Sequence, residues 1–107
     1  MGEVIAKTLQ TGEWQHTPTS GVDYVELRQQ EGGGSTIFLR FAKGTHGRAH
    51  THPGGEDIYV VTGDITIGGK RLKAGDYLYT PPGIAHDADA HEETVLFVSL
   101  PKAPIFL

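Results

Sequence analysis

An all-β fold is what the 107-residue sequence predicts, on three observations. Fifteen glycines and six prolines cut the chain into short pieces. No piece sustains the i, i+3, i+4, i+7 apolar spacing of an amphipathic helix. The runs left between the turns are brief and rich in strand-forming residues, and many short strands at such intervals make a sandwich or a barrel.

Residues 1–20, with Trp14 and the polar run from His16 to Ser20, read as an N-terminal arm or edge strand, and residues 21–107 as the barrel. Strands are expected at 22–29 and 35–42, joined loosely through Glu31-Gly-Gly-Gly-Ser35. The next pair, 48–51 and 57–62, is separated by Pro53-Gly54-Gly55, where a fixed proline φ beside two free glycines turns the backbone sharply. Tight reversals at Gly63 and at Gly68-Gly69 then set off strands at 64–67 and 71–72. Strands at 76–80 and 85–88 flank the rigid Pro81-Pro82-Gly83 bend, and 94–100 is the last. Ile58 and Val60 are expected to point inward, with one face each of 38–41, 77–79 and 95–99 completing a dry interior.

The size allows one domain with one core, since two halves would each be too small to bury one. There is no cysteine, so disulfides, thiolate metal sites and cysteine nucleophiles are excluded and a reducing cytoplasm fits. The N-terminus has neither the basic start nor the long apolar run of a signal peptide, and Ala6 stands where a myristoylation signal needs Ser or Thr. No run of eighteen apolar residues predicts a membrane helix, and a formal charge of −4 without a basic block speaks against nucleic acid. Phosphate-cradling and serine-nucleophile motifs are missing as well.

Chemistry concentrates in Gly47-Arg-Ala-His-Thr-His-Pro-Gly-Gly-Glu56. On a strand, residues i and i+2 share a face, so His50 and His52 present two imidazoles to one side. The Pro-Gly-Gly turn lets Glu56, at the start of the next strand, swing its carboxylate back toward them. His86, just after the Pro-Pro-Gly bend, is the best candidate for a fourth donor. Three neutral imidazoles and a carboxylate suit one divalent ion of Mn, Fe, Co, Ni, Cu or Zn. If the strand bearing His50 extends backward, period two puts Arg48 and His46 on the same face, with the guanidinium available to a carboxylate. If Gly47 ends the strand, Arg48 goes to solvent. Beyond His86, Ala88 and Ala90 face inward and Asp87, Asp89 and His91 outward; the alanines either leave room for a ligand or pack a narrow barrel.

These residues resemble the two sequence motifs of the small cupins. The first, Gly-x5-His-x-His-x3-Glu-x6-Gly, runs through Gly44, His50, His52, Glu56 and Gly63. The second, Gly-x5-Pro-x-Gly-x2-His-x3-Asn, runs through Gly75, Pro81, Gly83 and His86, with Ala90 where the pattern has asparagine. The resemblance implies a double-stranded β-helix (jelly-roll) barrel, with His50, His52, Glu56 and His86 as metal ligands. It implies metal-dependent enzymes such as dioxygenases acting on diketones, flavonols or thiols, decarboxylases and sugar isomerases, and it implies a homodimer built through sheet faces or exchanged N-terminal strands. Residues 50–101 also resemble the cupin-like half of zinc-binding anti-sigma factors, which implies a sensing module without turnover. A purely structural ion is the third reading. A divalent ion with one carboxylate leaves a net +1, which favours a small anionic or enolisable oxygen donor as ligand. Glu56 and Arg48 are the candidates for catalytic roles.

Overall fold

The computed structural model describes residues 2–10, 12–103 and 105–106. Met1 and Thr11 of the expected arm, and Pro104 and Leu107 of the expected barrel, lie outside the described residues. Every described element is a strand: β1 Gln15–His16, β2 Val22–Gln29, β3 Ser35–Phe41, β4 His46–Thr51, β5 Glu56–Thr62, β6 Asp64–Ile67, β7 Lys70–Lys73, β8 Tyr77–Thr80, β9 His86–Ala90, β10 Thr94–Leu100 and β11 Ile105–Phe106. All pairings are antiparallel and give a six-stranded sheet, β1-β2-β3-β10-β5-β8, and a five-stranded sheet, β11-β4-β9-β6-β7. The result is the jelly-roll. The nine expected strands are present, three with the expected ends and six with ends moved by one or two residues, and β1 and β11 are short edge pairings outside them.

One apolar cluster joins the sheets. Phe41, Ile58, Val60, Leu96 and Val98 come from the first, and Ile65, Ile67, Leu72, Ala88 and Ala90 from the second. The alternation is sharp in β9, where His86, Ala88 and Ala90 are buried while Asp87 and Asp89 are exposed. The two alanines therefore pack the core of a narrow barrel. In β8, Leu78 packs inward and Tyr77 and Tyr79 face out.

The outer face of the first sheet is treated differently at its two ends. Val25, Phe38, Phe97, Tyr59 and Tyr77 lie opposite one another in a single row across five strands. The N-terminal segment covers one end of that row, where Val25 is buried and lies within 3.3 Å of a Cβ built on Gly12. Trp14 holds the segment there by stacking on Arg40, whose guanidinium lies 4.1 Å from the indole centroid, a cation–π contact. Arg40 in turn pairs with Asp23 at 3.1 Å. Toward the other end Phe97, Tyr59 and Tyr77 are exposed.

Candidate metal centre

Four donors arrive from three directions. His50 in β4 stands directly opposite His86 in β9, so the second sheet supplies both by register. His52 lies just beyond β4, and a turn closed by the Gly55 amide donating to the His52 carbonyl at 2.9 Å carries the chain into the first sheet. Gly55 has a φ of +80°, a left-handed conformation that favours glycine at this turn. Glu56 then opens β5 facing inward, opposite Thr80 of β8.

His52 Nε2, His86 Nε2 and Glu56 Oε1 form a triangle whose three sides are each 3.2 Å. His50 completes the group, and one donor atom from each of the four residues lies within 4.8 Å of the others. The three imidazoles meet edge to face, with centroids 4.5–5.2 Å apart. His52, Glu56 and His86 are 1%, 4% and 7% exposed, while His50 is half-buried, so the cluster is reached from the side of His50.

This set fits a transition-metal ion. Donors that share one ion stand about 3 Å apart, because each metal–nitrogen or metal–oxygen bond is about 2.0–2.2 Å. Without an ion the arrangement is costly. Glu56 Oε1 is close to two imidazole nitrogens, but neither is aligned to donate to it, and it has no hydrogen-bond partner among the described residues. A buried carboxylate oxygen in that condition calls for a cation. Burial pushes the Glu56 carboxyl up, but nearby His52 and His86 outweigh it and hold the group below the usual carboxylate range. Burial is also the main influence on His50 and lowers its pKa, which favours the neutral, ligating imidazole.

The ring nitrogens facing away from the centre divide the histidines. His50 Nδ1 donates to the Arg48 carbonyl at 2.9 Å, and His86 Nδ1 is 3.3 Å from the Thr80 hydroxyl. His52 Nδ1 has no partner among the described residues. For His50, whose partner can only accept, the Nε2 lone pair is left for the centre.

The model of the ChrR cupin-like domain matches residues 2–103. The chain belongs to that family. Over an alignment of 71 residues this cupin is 34% identical to the DNA damage-repair/toleration protein DRT102 of Arabidopsis thaliana, which takes in 61% of the chain but only 23% of that protein. Its fold is similar to that of a putative acetylacetone dioxygenase from Methylibium petroleiphilum, with a TM-score of 0.83 and 19% identity over 100% of this chain and 84% of that one. It is likewise similar to a chain of the Rhodobacter sphaeroides SigE complex with the anti-sigma ChrR, with a TM-score of 0.76 and 21% identity over 87% of this chain and 50% of that one. At such identities the structural likeness shows the fold alone.

The strand of this cupin that bears His50 extends backward to His46, but period two fails along it. Gly47 pairs with the inward Ala88 and His50 pairs with His86, so β4 places Arg48 and Ala49 opposite the single residue Asp87. That β-bulge changes the face. His46 is therefore outside, 2.7 Å from Asp89 and 4.0 Å from Asp87, in an exposed cluster remote from the four donors. Arg48 has an exposed side chain and reaches the centre through its backbone carbonyl. His46 does not join the group that the continuous-strand reading predicts, and Arg48 is exposed. Thr80, buried and in contact with His86, is a residue that the sequence reading missed; its place opposite Glu56 becomes visible only with the β5–β8 register. Two open surface concavities of about 480 and 470 Å³ lie beside the N-terminal segment, and none of the four donors lines them.

Proposed function

We propose that this cupin holds one divalent transition-metal ion on His50, His52, Glu56 and His86 and acts on a small anionic or enolisable oxygen-donor substrate, with dioxygenase-like chemistry. The observation that carries the reading is the buried 3.2 Å triangle of two imidazole nitrogens and an otherwise unpartnered carboxylate oxygen. A bound ion would supply Lewis acidity toward a chelating substrate oxygen. The chain's own residues do the rest. The Arg48 carbonyl holds His50 with Nε2 free. Glu56, kept ionised, offsets charge, and its lowered pKa suits a ligand better than a proton acceptor. Ile58, Val60 and Leu96, buried in the same barrel, keep water from the side away from His50. The likeness in fold to a putative acetylacetone dioxygenase supports the enzymatic reading.

The family match favours a second reading, a sensing or binding module without turnover. Purification followed by elemental analysis, then oxygen-uptake assays with diketone, thiol and uronate substrates, separates the two. Stoichiometric Mn, Fe, Co, Ni or Cu with oxygen consumed is the result expected of the enzyme; a tetrahedral zinc protein inert to every substrate would sink it. The absence of cysteine agrees with a reducing cytoplasm, and the exposed Phe97, Tyr59 and Tyr77 offer a surface for a homodimer, which light scattering would weigh.

A further inference from the structure

We infer that Thr80 is the positioning residue of this site: its hydroxyl accepts the Nδ1 proton of His86 and so presents the Nε2 lone pair to the ion. This rests on the metal reading above. Thr80 is 5% exposed, on the inward face of β8. Valine has the same shape and would sit in such a place without a polar group to satisfy, so a buried hydroxyl there requires a partner. Among the described residues that partner is His86 Nδ1, at 3.3 Å.

The contact also spans the two sheets. Thr80 belongs to the first sheet, opposite Glu56, and His86 to the second, opposite His50. One hydroxyl therefore fixes the rotation of an imidazole from one sheet against the strand that faces the carboxylate of the other. An imidazole that ligates through Nε2 carries its proton on Nδ1, and an acceptor at that proton both selects the tautomer and raises the basicity of the ligating nitrogen. His50 obtains this from a backbone carbonyl. For His86 a side chain, that of Thr80, stands at this nitrogen, which makes the arrangement accessible to substitution.

The test compares wild type with Thr80→Val, Thr80→Ala and Thr80→Ser. Zn(II) affinity is measured by chelator competition, and the histidine Nδ1–H signals of the zinc-loaded protein are followed by ¹⁵N-edited NMR. Loss of the hydroxyl is expected to weaken zinc by about 10-fold or more, with Thr80→Ser restoring it. The His86 Nδ1–H signal should exchange rapidly in the valine and alanine variants, while that of His50, held by the Arg48 carbonyl, stays unchanged. Loss of fold alone would move both signals. A folded Thr80→Val or Thr80→Ala protein with wild-type affinity and an unchanged His86 signal overturns the role of Thr80 and leaves the metal site standing. Wild type that takes up neither zinc nor any of Mn, Fe, Co, Ni and Cu overturns the metal reading, and the role of Thr80 with it.

Discussion

At the scale of single residues, the buried donors divide the work unequally. His52 is almost completely enclosed and sits on two sides of the 3.2 Å triangle, so His52→Ala is expected to abolish stoichiometric metal retention after gel filtration. Unchanged metal content would refute its assignment. On the outside, His46 has its pKa raised by the hydrogen bond and charge of Asp89. A raised pKa contributes stability that is complete below the ordinary histidine value of about 6.5 and is lost as pH rises through the folded value. Asp89→Asn should therefore bring the NMR titration midpoint of His46 down toward the ordinary value. That His50, His52, Glu56 and His86 come together was legible in the sequence, because i, i+2 spacing and turn chemistry are local and the two cupin motifs link the two segments. The outward turn of His46 and the exposure of Arg48 were not, since one extra residue in β4 is defined only against its partner β9. Thr80 escaped notice for a related reason: a threonine before proline has no local mark of burial, and its contact depends on β8 meeting β5.

At the scale of elements, turn residues set the strand boundaries that the sequence announces. Gly63 separates β5 from β6 with a φ of +108°, and a Cβ there would fall 2.5 Å from the Glu93 carbonyl oxygen and 2.4 Å from Thr94 Oγ1. Backbone cannot yield as a side-chain end would, so Gly63→Ala combines left-handed strain with a clash. It is expected to destabilise the fold by at least about 1–3 kcal/mol in urea unfolding, and a loss below about 0.5 kcal/mol would contradict this account. The β4 bulge has the opposite character. It is silent in composition, yet it lets both Gly47 and His50 face inward while Arg48 and Ala49 are exposed. Alternation alone predicts strands well where pairing is regular, as in β9, and fails at such an irregularity. The short β1 and β11 carry too few residues for any periodic signal.

At the scale of the whole molecule, the donors come from both sheets, so an ion on them ties the sheets together. Binding to the folded state alone adds about 2.7 kcal/mol at a hundredfold excess over Kd, which for a domain of this size corresponds to a rise in Tm of roughly 10–20 °C. Calorimetry with and without zinc reads that shift directly, and an unchanged Tm at saturating metal would mean that the cluster holds no ion. The two-sheet core itself follows from the sequence, because Ile58, Val60, Ala88 and Ala90 are apolar at alternate positions. Which sheet faces which, and where the N-terminal segment folds over Val25, required the pairings. The pairings also bear on kinetics. Among the described residues, His50 and Thr51 are bordered on their outer side by Phe106 and Ile105 of β11. The two-residue edge opens at far lower free energy than the core, and its opening uncovers the outer side of β4 at the half-buried His50 while β9 still holds that strand. An ion held on these donors would then enter and leave past His50, at a rate set by the fraying of a sheet edge rather than by unfolding of the barrel.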